Sequence, residues 1–114
     1  MEIKYFTQNI TLTDTEQKFL EEKVRKLGRF SKKIWEARVD LSYSPTHHND
    51  QLFRLEINLR MPDKMLRGVS RTPDFRTAVD QVMKKLKKQM ERYRGAWQTK
   101  KRQTRKAVRK KKTG

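Results

Sequence analysis

Cysteine is absent from this 114-residue chain, which excludes disulfide frameworks, thiolate metal centres and cysteine nucleophiles. Histidine is scarce too. His47 and His48 stand side by side in a polar stretch, with neither ligand spacing nor an acid cluster beyond Asp50. The four glycines stand singly, at positions 28, 68, 95 and 114, so no glycine-rich loop can cradle a nucleotide phosphate. Carboxylates are scattered, or gathered only along one helix surface as with Glu16, Glu21 and Glu22. No apolar run approaches the roughly 18–20 residues of a membrane span. Met1-Glu2-Ile3-Lys4-Tyr5-Phe6 has neither the basic nor the apolar region of a secretory signal. These gaps argue against an enzyme and a membrane protein. The expectation is a soluble, cytoplasmic, monomeric protein that works without cofactor, metal or small-molecule substrate.

What is present in excess is positive charge: 30 Lys and Arg against 13 Asp and Glu, a formal net charge of +17. The surplus is unevenly placed. Between Gly95 and Gly114 there are nine basic residues and no acid, which leaves 21 basic and 13 acidic residues, a net +8, for residues 1–94. The only apolar residues of the same C-terminal stretch are Ala96, Trp97, Ala107 and Val108, too few to offset the entropy of ordering it. The division is therefore a folded domain over residues 1–94 and a basic, disordered or conditionally helical tail over 95–114. A solubilising extension is the plainer reading of the tail; a polyanion-binding arm is the functional one.

Within the body, Trp35 to Tyr43 alternates apolar and polar residues, the period of a strand with one buried face. A turn-rich connection follows, and then Phe53, Leu55, Ile57, Leu59 and Met61 alternate with polar residues in a second strand. Pro62-Asp63-Lys64 leads to a third, about 65–71, made irregular by Gly68. Ile3, Tyr5 and Thr7 suggest another short strand at the N-terminus. Thr13-Asp14-Thr15-Glu16 has the form of a capping box opening a helix, with Leu20, Val24 and Leu27 as its apolar stripe. A second helix opens at Thr72-Pro73-Asp74 and carries Phe75, Ala78, Val79, Val82, Leu86, Met90 and Tyr93 on one face. The order β-α-β-β-β-α packs as a two-layer α/β sandwich: a sheet with one apolar face, covered by two helices. The open sheet face then carries Arg38, Asp40, Arg54, Glu56, Asn58 and Arg60, where the signs nearly balance.

Basic residues follow the helices. Lys23 and Lys26 flank the first apolar stripe, and Lys85, Lys88 and Arg92 flank the second on the side of the same hand. Lys84, Lys87, Arg25 and Arg29 lie further round. Like charges three and four residues apart cost a helix a few tenths of a kcal/mol per pair, and a phosphate backbone would relieve that repulsion while releasing counterions. The plainer reading is solvated lysines beside a core edge. There is no pair of aromatic-rich strands of the kind that stacks RNA bases, which favours phosphate and shape recognition. Phe19, Phe30 and Trp35 read as core, and Trp97 either packs back on the domain or stacks.

The residues carry a family likeness. Asn9-Ile10-Thr11-Leu12-Thr13, Glu22-Lys23-Val24-Arg25-Lys26-Leu27, Asp74-Phe75-Arg76-Thr77-Ala78-Val79-Asp80 and Lys85-Leu86-Lys87-Lys88-Gln89-Met90 together resemble the ribosome hibernation-promoting factors, the group that includes the ribosome-associated inhibitor protein Y. Lys88 stands where that family usually has arginine, and Phe75-Arg76 where it has Met-Tyr. The resemblance implies a four-stranded sheet with both helices on one face. It also implies binding to rRNA of the small ribosomal subunit, over the sites of mRNA and tRNA, and inhibition of translation. By position, the implied rRNA contacts are Lys23, Lys26, Lys85, Lys88, Arg92 and Arg94. Tail phosphate contacts would come from Lys100, Lys101, Arg102, Arg105 and Lys106. The long members' ribosome-pairing domain does not fit in the short tail, so ribosome pairing by this chain alone is not expected. A double-stranded-RNA-binding module and a structural ribosomal or assembly protein are the competing readings.

Overall fold

The structure, a computed structural model, describes residues 1–29, 33–46 and 51–93. Phe30, His47, His48, Arg94, Trp97 and the basic tail lie outside the described residues. The elements follow the expected order: β1 (Glu2–Gln8), α1 (Asp14–Leu27), β2 (Glu36–Tyr43), β3 (Phe53–Arg60), β4 (Met65–Thr72), and then α2, helical over 75–93. The strands form one four-stranded sheet in the order β1-β2-β3-β4. β2, β3 and β4 are an antiparallel meander, and β1 lies parallel to β2. A parallel pair needs a long crossover, and α1 provides it.

Local chemistry sets the boundaries. Asn9 takes a left-handed conformation (φ 59°), which asparagine tolerates better than most residues, and turns the chain out of β1. Thr13 then caps α1. Its hydroxyl oxygen accepts from the Glu16 N–H at 3.2 Å, and the Glu16 carboxylate accepts from the Thr13 N–H at 3.1 Å. Asp74 plays the same part for α2, accepting from the Thr77 N–H at 2.8 Å and the Thr77 hydroxyl at 2.7 Å. The two bonds from Thr77 hold its carboxyl below the ordinary value. Pro73 immediately precedes this cap, outside the helix.

The register aligns the apolar positions in rows across the sheet. Ile3, Ala37, Leu59 and Leu66 share one row; Tyr5, Val39, Ile57 and Gly68 share the next; Thr7, Leu41, Leu55 and Ser70 a third. On this face β2, β3 and β4 are almost wholly buried beneath Leu20, Val24 and Leu27 of α1 and Val79, Val82, Leu86 and Met90 of α2. At Gly68 α2 packs close against the strand: a Cβ there would sit 3.1 Å from Val82 Cγ1 and 3.2 Å from Leu86 Cγ. The irregularity it puts into the strand pattern is thus a packing device. Its φ is not positive, so space and not backbone freedom selects glycine.

One expected core residue lies outside. Trp35 is 57% exposed, whereas Ile34 and Met61 are 4% and 3% exposed and close that end of the core. β2 starts one residue after Trp35, which is fixed by backbone bonds, its N–H donating to the Arg60 carbonyl. Phe19 is half-buried, its ring tilted against Phe75 at 6.2 Å between centroids.

Candidate nucleic-acid interface

The direction of each helix follows from the strands. β1, β2 and β4 all point one way. Each helix returns over the sheet after a strand of that direction, so α1 and α2 run parallel, side by side, with their C-terminal ends together. Two parallel neighbours face one another with flanks of opposite hand. The flank that α1 turns to α2 carries Phe19, Lys23 and Lys26. The flank that α2 turns back carries Arg76, Met83 and Lys87.

Between them lies an open groove of about 400 Å³, lined by Lys23, Lys26, Leu27 and Arg29 from α1 and its end, and by Met83, Lys84 and Lys87 from α2. Leu27 and Met83 make an apolar floor, and five cations make the rims. At its upper end Phe19 carries two more charges: the Lys23 ammonium lies 5.4 Å and the Arg76 guanidinium 5.2 Å from the ring centroid. Such cation–π contacts contribute about 0.5–1 kcal/mol at exposed sites and hold long side chains near one place.

The open face of the sheet is built differently. Lys4 pairs with Glu36 at 3.6 Å, Arg38 with Asp40 at 3.3 Å, and Glu56 accepts from Arg54 at 2.9 Å and Arg67 at 2.6 Å. Asn58 adds a bond to Glu56 at 3.0 Å. Burial would raise the Glu56 carboxyl, but the bonds from Arg67, Asn58 and Arg54 together outweigh it and hold it at about 2. Arg38 also lies over Phe6, 4.2 Å from the ring centroid, which accounts for an aromatic residue 42% exposed on this face. Positive charge on the sheet is therefore largely neutralised in place. On α1, Arg25 pairs with Glu21 at 2.9 Å, on the flank turned away from α2.

The structure brings some of the expected contacts together and separates others. Lys23 and Lys26 are in the groove. Lys85 is on the opposite flank of α2, where its ammonium donates to the Val69 carbonyl of β4. Lys88 and Arg92 are exposed on the outer side of α2, away from the groove. The partners facing Lys23 and Lys26 are Lys84 and Lys87. Periodicity picked out all of these lysines. Choosing between the two flanks of α2 required knowing that the helices are parallel, because rows of the same hand cannot face each other.

Residues 3–98 match the family described as Sigma 54 modulation protein / S30EA ribosomal protein. Two relatives are both named ribosome hibernation promotion factor. One, from Deinococcus radiodurans, is 26% identical over 87 residues, 76% of this chain and 46% of its own length. The other, from Staphylococcus aureus, is 24% identical over 86 residues, 75% of this chain and 44% of its own. The matched region thus spans somewhat under half the length of these relatives. Among solved structures, the N-terminal domain of Thermus thermophilus protein Y is similar with a TM-score of 0.70 and 26% identity, over 82% of this chain and 99% of that one. A ribosomal subunit interface protein from Coxiella burnetii shares the fold, with a TM-score of 0.71 at 17% identity over 83% of this chain and 99% of that one.

Proposed function

The chain belongs to the Sigma 54 modulation protein / S30EA ribosomal protein family, and from that premise we propose that it is a cytoplasmic ribosome hibernation factor. In this reading it binds rRNA of the small ribosomal subunit as a monomer and inhibits translation by occupying the sites of mRNA and tRNA. The names of its relatives support the ribosome as partner. The observation that carries the reading is the groove between the helices, whose rims gather Lys23, Lys26, Arg29, Lys84 and Lys87 in one place.

Cations held close together repel one another, and an RNA backbone removes that cost while its condensed counterions are released. The groove recognises phosphate spacing and shape, with no chemical step. Lys88 and Arg92 on the outer side of α2 add positive charge to the helix, and Arg94 adds to the charge of the chain. The tail lysines and arginines, including Lys100, Lys101, Arg102, Arg105 and Lys106, extend the binding along the backbone.

The test is co-sedimentation with small ribosomal subunits on sucrose gradients. Reversing groove charges with Lys26→Glu/Lys87→Glu is expected to abolish co-sedimentation at moderate salt, whereas Arg60→Glu on the open sheet face leaves it in place. Undiminished binding by the groove variant would overturn the reading.

A further inference from the structure

We propose that Arg76 contacts an RNA phosphate at the upper end of the groove, in a two-cation site that Phe19 assembles from both helices. This rests on the RNA-binding reading above and extends it to a residue that the family likeness does not imply.

The site is built outward from the core. Phe75 is 8% exposed and belongs to the buried face of α2. Phe19 of α1 is half-buried against it, the two rings tilted by 57° with centroids 6.2 Å apart. Phe19 in turn has the Lys23 ammonium of its own helix 5.4 Å from its centroid and the Arg76 guanidinium of α2 at 5.2 Å. One ring therefore gathers a cation from each helix. The backbone beneath Arg76 is fixed as well, since it lies between Asp74 and Thr77, the cap of α2 and its partner, which bond at 2.8 Å. On the other border of α2, Gln89 accepts from the Arg67 N–H at 3.2 Å and donates to the Arg67 carbonyl at 2.6 Å. That tie to β4 limits how far the flank carrying Arg76 can roll away from α1.

Among the described residues neither Lys23 nor Arg76 forms an ion pair with a carboxylate. Asp74, two residues before Arg76, has both carboxylate oxygens bonded to Thr77. A cation in the first turn of a helix opposes the helix dipole, and two cations on one ring repel each other. An anion seated between them relieves both. The guanidinium offers paired N–H donors that match two oxygens of one phosphate, and the ammonium adds a compact point charge. Phe19 is the positioning residue of the site: it touches the cations and not the RNA.

Arg76 and Lys87 share a flank, 11 residues apart, which is about 16 Å of helix at about 1.5 Å per residue. No single phosphate spans that length. The upper site therefore takes a different phosphate from the one at Lys84 and Lys87, and each contributes separately to counterion release.

The experiment measures binding of the full chain to small ribosomal subunits across a salt series, together with the melting temperature of each variant. The variants are Arg76→Met, Lys87→Met, both together, and Phe19→Leu, which keeps every charge and an apolar side chain. The slope of log affinity against log salt should fall by about 0.7–0.9 in Arg76→Met, and by about twice that in the double variant. Phe19→Leu should keep the wild-type slope, with affinity lowered by a common factor at every salt concentration. If Arg76 only braces the fold against Phe19, Arg76→Met lowers the melting temperature and leaves the slope unchanged. That result would overturn the inference, while the RNA reading stands or falls separately on Lys26→Glu/Lys87→Glu. Wild-type affinity in Phe19→Leu would overturn the positioning role of its ring. A wild-type affinity indifferent to salt would overturn both the inference and the reading beneath it.

Discussion

Arg67 of β4 grips one carboxylate oxygen of Glu56 on β3 with two guanidinium nitrogens, Nη2 at 2.6 Å and Nε at 3.0 Å. The two residues are diagonal neighbours on the open face, since Glu56 pairs in register with Val69 and Arg67 with Asn58. Glu56 is depressed from the usual 4.5 to about 2, burial being outweighed by its hydrogen bonds. A carboxylate depressed on folding stabilises the folded state above its unfolded value and ceases to do so as pH falls through its folded value. The contribution is therefore complete above about 4.5 and lost between about 4.5 and about 2. Replacing Glu56 with glutamine should cost about 1–3 kcal/mol at neutral pH, through lost charge-assisted bonds. It should also flatten the acid limb, as read from urea unfolding at neutral pH and near pH 3.

Gly68→Ala should destabilise the domain by about 1–3 kcal/mol, the usual range for an overpacked core. The new methyl would meet Val82 Cγ1 at 3.1 Å and both Leu86 Cγ and the Val82 carbonyl at 3.2 Å, so α2 must move away from β4. Thermal unfolding measures the loss. Amide exchange at Arg67 should rise as the Gln89 bridge lengthens.

Thr13→Ala removes one half of the reciprocal cap on α1 and should cost about 0.5–2 kcal/mol. Circular dichroism on heating reads the lower midpoint. Glu16→Gln keeps an acceptor for the Thr13 N–H and should lose much less.

Deleting residues 98–114 removes nine of the chain's 30 basic residues. On the RNA-binding reading, affinity for small subunits should fall and its dependence on salt should weaken by several units of slope, at about 0.7–0.9 for each phosphate no longer neutralised. The urea midpoint of the domain should stay where it is.

The fold was legible because each element carries its own local signal. Thr13 and Glu16 announce a helix start that the structure contains atom for atom, and the alternation of β2 and β3 aligns in register residue by residue. The stripe Phe75, Ala78, Val79, Val82, Leu86 and Met90 is the buried face of α2. Trp35 departs from expectation because alternation does not say where a strand stops mattering to the core, and Ile34 reaches the same end first. The candidate site was legible only in part. Lys85 and Lys87 lie on opposite borders of one apolar stripe, and no local pattern distinguishes the border that meets a helix from the border that meets a strand. That distinction comes from β4 being an edge and from the helices being parallel, which are both properties of the whole chain. Gln89 carries no signal of its role, since a glutamine beside a helix stripe looks like any solvated residue.

The margin of β4, bridged by α2 at Arg67 and Val69, has a counterpart across the sheet. Among the described residues α1 sends no such bridge onto β1, so the sheet is finished on one side and unfinished on the other. A protein with two receptive margins can polymerise, each copy adding to the next without end. With one, the most that strand pairing can build is a closed pair, because the second copy uses up the only margin the first has left. On β4 the Arg67 amide and carbonyl and the Val69 carbonyl are already bonded to Gln89 and Lys85 of α2, so a strand from another copy would have to displace those side chains to pair there.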